Sequence, residues 1–138
     1  MTWQTSQILW PDIETTVPTL LREAFAARSM DVMCGRNIPD PRPSKMVIVN
    51  RDGGGSDGLL DFPTIRVRVF APTWDEANDL ARLASALVFG LKGRGGITNV
   101  SKQSGPYDVP DQSDAHLRYL LFDLTVKGTP LDVPVSGS

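Results

Sequence analysis

The first strongly patterned stretch of the chain has apolar residues spaced to fall on one face of a helix. Asp12 comes immediately before it and can cap a helix by accepting hydrogen bonds from free backbone amides. The apolar positions that share this face are Ile13, Val17, Leu20, Leu21, Ala24 and Phe25. The pattern predicts a helix from residue 13 to about Arg28. Pro18 lacks the backbone N–H of a helix interior, so we expect a kink or a restart there.

A second helical stretch follows Pro72, which stops the preceding strand pattern. The residues from Thr73 to Glu76 have the pattern of a capping box, in which side chains of the first turn satisfy free backbone amides. The apolar positions that follow at helical spacing are Ala77, Leu80, Ala81, Ala84, Leu87, Val88 and Leu91. The sequence therefore predicts a long helix that ends at the glycines beyond Leu91.

Strand patterns occupy much of the remaining chain. The most regular is 63–71, where Ile65, Val67 and Val69 alternate with arginines and an aromatic residue, as in a strand buried on one face. The other predicted strands cover 30–37, 45–51, 97–102 and 117–127. The order of elements is α-β-β-β-α-β-β. This order predicts an α+β fold, a mostly antiparallel β-sheet with two helices packed on one face.

Length and composition agree with one small domain. The chain has 138 residues, of which 41% are hydrophobic, and this is enough to build a core. We expect one domain over 1–128 and a flexible C-terminal tail over 129–138. The net charge of −2 is unlike that of a domain that holds nucleic acid by its charge. No apolar run is long enough to span a membrane, so we expect no membrane partner.

Residues with distinctive chemistry are few. Cys34 and His116 are the single cysteine and the single histidine, and no motif around either indicates a metal site or a nucleophile. One cysteine cannot form an intramolecular disulfide and suits the cytoplasm. The N-terminal residues lack the basic-then-apolar order of a signal peptide. We expect no enzyme activity, no cofactor and no metal.

A glycine-rich segment, 52–58, lies between the two central strand patterns. A phosphate-binding loop needs lysine and serine or threonine after its glycines, whereas Asp57 is followed by glycine and two leucines. A calcium loop of the EF-hand type needs an oxygen ligand where Gly54 stands. The segment is therefore predicted to be a pliable hairpin tip, since glycine readily adopts positive φ.

Several sequence segments, taken in order, resemble the tail terminator proteins of phages with long, non-contractile tails, in particular phages of actinobacteria. These segments are 12–14, 42–49, 61–71, 105–111 and 118–119. The resemblance depends on their order and spacing over about residues 12–128. It leaves the N-terminal tryptophan segment and the last residues unassigned.

The resemblance implies a structural virion protein of the neck, assembled in the host cytoplasm. Its copies form a homo-oligomeric ring, usually a hexamer, at the head-proximal end of the tail tube. The ring stops polymerisation of the tail tube protein and joins the tail to the head connector or head-closure protein. DNA passes through such a ring without specific binding, and a near-neutral charge agrees with this.

A ring needs surfaces that meet neighbouring subunits, and the sequence offers three candidates. Arg66 and Arg68 lie side by side on the polar face of one strand, where they are either solvated or in contact with a neighbour. The predicted hairpin tip contributes Arg51, Asp52, Gly53, Gly54, Gly55 and Asp57. The terminal segments contribute Trp3, Trp10, Val133 and Val135.

Two other functions are compatible with the sequence. The first is a different neck component, a head-closure or connector-adaptor protein, or a tail-tube-like subunit, and the position of the ring in the virion would separate these. The second is a small ligand-binding domain or enzyme that uses residues 53–58. In that case an Asp52→Ala and Asp57→Ala double change would abolish the binding activity.

Overall fold

The computed structural model describes residues 7–109 and 116–131. Its helices are α1 (Ile13–Ala27) and α2 (Trp74–Phe89). Its strands are β1 (Gln7–Leu9), β2 (Met33–Gly35), β3 (Met46–Ser56), β4 (Leu60–Ala71), β5 (Ile97–Val109), β6 (His116–Lys127) and β7 (Thr129–Leu131). The predicted α+β fold is confirmed, with two additional short strands at the ends of the described chain.

The main sheet has the strand order β2-β3-β4-β6-β5. β2 pairs in parallel with β3, and the other neighbours in this sheet pair antiparallel. β4 lies at its centre, paired with β3 along one edge and with β6 along the other, and its apolar alternation directs one face of the strand to the core. β1 and β7 form a separate two-stranded antiparallel sheet.

The core lies between one face of the sheet and the two helices. α1 contributes Val17, Leu21 and Phe25, each fully buried, from the face that the helical spacing marked. α2 contributes Leu80, Ala81, Ala84 and Val88 to the same cluster. The small alanines let α2 lie close to the strands, so the alternating apolar residues of β4 and β6 are removed from water.

α1 is one uninterrupted helix, so the predicted restart at Pro18 is wrong. The Asp12 carboxylate caps it by accepting from the Glu14 amide at 3.1 Å, as the sequence indicated. Pro18 is itself buried, next to Val17 in the core-facing surface. Packing of this surface offsets the hydrogen bond that proline cannot donate.

The central hairpin is longer than the sequence indicated, and the predicted glycine loop at 52–58 is too long. β3 continues to Ser56 and β4 begins at Leu60, so only Asp57 and Gly58 of that segment lie in the connecting turn. Gly54 faces Pro63 and Gly55 faces Phe62, after a bulge between Arg51 and Gly54. Glycine in a strand commonly marks such a bulge, and the tertiary pairing decided between loop and strand.

The ends of the described chain also pair. Gln7 of β1 faces Leu131 of β7, and Leu9 faces Thr129. The ladder therefore includes Thr129–Leu131 in the folded domain, whereas the sequence pattern placed the domain boundary at 128. The partner strand at the N-terminal end could not be anticipated because three residues carry too little periodicity.

The helix-covered core generates a stability prediction. Leu21→Ala removes a fully buried side chain and should lower the free energy of unfolding by about 2–5 kcal/mol. Leu59→Ala makes the same chemical change where 65% of the residue is exposed, and should change it by less than about 0.5 kcal/mol. Urea unfolding of the two variants and the parent measures both. Equal losses would contradict this assignment of the core.

Candidate subunit interface

The face of the main sheet opposite the helices is only partly covered. Ile38, from the connection between β2 and β3, packs at one end against Met46, Ile48, Phe70 and Leu117. The rest of this face, here called the open face, consists of Asn50, Thr64, Arg66, Arg68, Tyr107, Tyr119, Leu121 and Asp123. Register places them together, since Arg66 faces Leu121 and Arg68 faces Tyr119 across the ladder.

Arg66 and Arg68 both lie on the open face, as predicted from the period of β4. The Arg66 guanidinium donates to the Asp52 carboxylate at 3.2 Å and lies 5.3 Å from the centre of the Tyr119 ring. Arg68 donates to the Asn50 amide oxygen at 3.0 Å. The Arg66–Asp52 pair is exposed, with side-chain exposures of 45% and 46%. An ion pair in that position contributes little to stability.

Two tyrosines add aromatic area beside the arginines. The rings of Tyr107 and Tyr119 lie 4.9 Å apart between centres, and Tyr107 is 43% exposed. β5 comes close enough for this contact because Gly105 has a φ of +94°, and a Cβ there would lie 2.8 Å from the Tyr119 carbonyl oxygen. Four residues further along β6, the Thr64 hydroxyl donates to Asp123 at 2.7 Å. Arginine and tyrosine are residue types that dominate protein–protein contacts.

The sequence analysis missed Tyr119, Leu121 and Asp123 as members of this face. The signal was present, since they alternate with the buried Leu120, Phe122 and Leu124 in β6. Tyr107 gave no such signal because the bulges of β5 break its alternation.

Arg51 lies on the other side of the sheet, away from Arg66. Its guanidinium forms two bonds to the Asp61 carboxylate, at 2.7 and 2.8 Å, and donates to the Gly53 carbonyl at 3.0 Å. Asp61 is 5% exposed, and its bond raises the pKa of Arg51 above the usual arginine value. Arg51 therefore fixes the bulged end of its own hairpin rather than standing ready for a neighbour.

The hairpin is also fastened to other parts of the domain. The Glu14 carboxylate of α1 accepts from the Arg51 backbone amide at 2.9 Å. The Trp10 indole donates to the Leu59 carbonyl at 3.2 Å. Gly54 adopts a φ of +88°, and a Cβ there would collide with the Phe62 carbonyl, so this position requires glycine.

Asp57 closes the turn between β3 and β4. Its carboxylate accepts from the Leu60 amide at 2.7 Å and from the Leu59 amide at 2.9 Å. These two bonds lower the pKa of Asp57 below its ordinary value. The charge of Asp57 thus stabilises a local turn and is not arranged around a ligand.

The structure brings three of the predicted interface residues together: Asp52, Arg66 and Arg68 meet on the open face or its rim. It assigns Arg51, Asp57 and Trp10 to internal contacts of the hairpin, and Gly53–Gly55 to the bulged part of β3. Trp3, Val133 and Val135 lie outside the described residues.

Reactive or metal-binding chemistry is sparse in the described part of the chain. No group of three or more histidine, cysteine or acidic side chains could hold a metal there. Cys34 is 1% exposed, and burial raises the pKa of its thiol to about 11. What the open face offers is therefore contact chemistry: guanidinium groups, carboxylates and aromatic rings spread over a sheet surface.

Comparison with known proteins gives no family: no family model matches the chain, and no curated protein matches it significantly. Within residues 7–109 and 116–131, no helix has the length and apolar character needed to cross a membrane.

The Arg51–Asp61 pair generates a matched prediction. Asp61→Asn should lower the free energy of unfolding by about 1–3 kcal/mol, because it weakens charged hydrogen bonds to Arg51 in a largely buried position. Asp52→Asn makes the same change in an exposed pair and should cost less than about 1 kcal/mol. Urea unfolding compares the two. A larger loss for Asp52→Asn would overturn the assignment of Asp61 as the hairpin anchor.

The turn carboxylate generates a pH prediction. A carboxyl group whose pKa is lower in the folded chain stabilises the fold above its unfolded pKa, about 3.9. That contribution is lost as the pH falls through the lower folded-state pKa. Asp57→Asn keeps an acceptor oxygen but removes the charge, so it should be less stable than the parent at about pH 7. In thermal unfolding, the difference in Tm between the variant and the parent should become smaller below about pH 4. A difference independent of pH would contradict this role.

Proposed function

We propose that the chain is a tail terminator, a structural virion protein. In this role its copies form a ring, a hexamer by resemblance, that caps the head-proximal end of the tail tube. The ring stops polymerisation of the tube protein and joins the tail to the head connector. DNA passes through it without specific binding.

The observation that carries the proposal is the open face. A two-layer α/β domain buries one face of its sheet and leaves the other to be solvated or covered by another chain. Here the second face bears Arg66, Arg68, Tyr107 and Tyr119, a composition typical of interfaces rather than of solvated sheets. Together with the ordered sequence resemblance over residues 12–128, this supports a subunit that acts through contacts with other subunits.

The hydrogen bonds that hold the β3–β4 hairpin in place also support an assembly role. Arg51, Asp57 and Trp10 fasten the glycine-rich hairpin end to the domain, so the subunit has a defined shape there. A rigid subunit meets its neighbours at a fixed angle, and a fixed angle is needed for a ring to close. The near-neutral net charge of −2 agrees with a channel through which DNA slides.

The proposal predicts that the purified protein binds one end of tail tubes. Lys92→Cys creates an accessible thiol for a gold label at an exposed position, while the native Cys34 remains buried. Added to tail tube protein during polymerisation, the labelled chain should shorten the tubes and appear at one end only in electron micrographs. The parent chain, carrying only Cys34, is the control for non-specific labelling.

The oligomeric state completes the test. Native mass spectrometry across protein concentrations, with and without tubes, should show monomers giving way to a ring as concentration rises or tubes are added. A stable dimer that ignores tubes would count against the proposal. A ring located at the head connector and absent from tube ends would instead identify another neck component.

A further inference from the structure

A cleft between α2 and the segments that hold Met30 and Lys45 has the chemistry to receive an arginine. The cleft has a volume of about 150 Å³ and is lined by Met30, Lys45, Glu76, Asp79, Leu80 and Leu83. Three of these residues are apolar, two carry carboxylates and one carries an ammonium group. A long arginine stem packs on apolar surface while its guanidinium binds carboxylates, so this combination suits an arginine side chain.

Other aromatic and acidic groups are exposed at the start of the same helix. Trp74, at the start of α2, is 48% exposed, and its ring meets His116 edge-on at 4.6 Å between centres. Asp75 and Glu76 lie in the first turn. The exposed start of α2 therefore combines a large aromatic residue with negative charge, which complements a surface of arginines and tyrosines.

The open face and this cleft lie on opposite sides of the same subunit, since α2 packs on the other face of the sheet. On the open face, the pair of Arg66 with Asp52 is exposed, so replacing Asp52 by a carboxylate of another copy costs little free energy. A contact between two different surfaces of identical chains is heterologous and repeats from copy to copy, which is the geometry of a ring.

We propose that the open face of one copy docks on the helix-covered side of the next, with Arg66 entering the cleft beside Glu76 and Asp79 of that second copy. Tyr107 and Trp74, both substantially exposed in the single chain, supply apolar area to the same contact. Lys45 also lines the cleft, and its ammonium offsets the charge of one of the two carboxylates. One guanidinium from another copy then balances the charge of the other carboxylate. This interface rests on the proposed ring and specifies which surfaces build it.

A charge exchange tests the contact. The first variant is Arg66→Glu, and the second carries Glu76→Lys and Asp79→Lys. Each alone should need at least a tenfold higher concentration than the parent to assemble, by native mass spectrometry or on tube ends. An equimolar mixture should restore assembly, because every contact in an alternating ring then pairs opposite charges. The restored rings should contain the two variants in equal numbers.

Two controls distinguish loss of assembly caused by misfolding from loss caused by the altered interface. Lys92→Glu makes the same reversal from positive to negative charge at an exposed position beyond the end of α2, outside both surfaces, and should assemble like the parent. Circular dichroism should give each variant the thermal unfolding profile of a folded domain, and restoration by mixing itself requires two folded partners.

Parent-like assembly of Arg66→Glu, or failure of the mixture to assemble, would overturn the proposed contact. The tube-end assay separates this result from the proposed function. If the charge variants still form rings that cap tubes, the proposed contact is wrong and the proposed function is retained. If assembly follows the charge exchange but the rings never bind tube ends, the proposed function is wrong and the contact is retained.

Discussion

Burial of one face of β4 is the constraint on which the rest of this structure depends. Ile65, Val67 and Val69 are fully buried, and β4 carries both neighbouring antiparallel ladders. Because side chains alternate along a strand, covering these residues with helices directs Arg66 and Arg68 to the opposite side. The core and the open face are thus two consequences of one register, and a slip of one residue would exchange them.

The Arg51–Asp61 pair stabilises the far end of the same hairpin. Beyond the region covered by helices, the ladder contains glycines and a bulge, which weaken pairing by themselves. A carboxylate that is only 5% exposed is costly without a partner, and Arg51 supplies two bonds to it as well as one to the Gly53 carbonyl. Charge here defines the shape of the hairpin, whereas the exposed Arg66–Asp52 pair contributes little to stability and leaves its groups available.

This division between fastened and available charges gives the molecule its functional character. The described residues form no cluster that could hold a metal, and the single cysteine is sequestered in the core. Accessible charged and aromatic groups include those of the open face and those of α2 and its neighbouring cleft. Arginines on one side of a subunit and carboxylates on the helix side can pair from copy to copy, which is what a terminator ring would require.

Local pattern determined a large part of this architecture. The helical spacing after Asp12 and Thr73 predicted both helices and their caps, because an apolar stripe and a capping side chain are short-range features. The period of β4 likewise predicted the face on which Arg66 and Arg68 lie. Even so, the helix continues through Pro18, since packing of the buried face outweighs one missing hydrogen bond.

Only the tertiary structure decided the features that depend on residues distant in the chain. The glycine segment reads as a loop in sequence and forms a ladder in the fold, because Phe62, Asp61 and Glu14 supply its partners. Short strands such as β1 become visible only through β7, and Tyr107 joins the open face only through the bulges of β5. A sequence pattern records which way a side chain points along its own element, whereas the partner it meets is fixed by packing between elements.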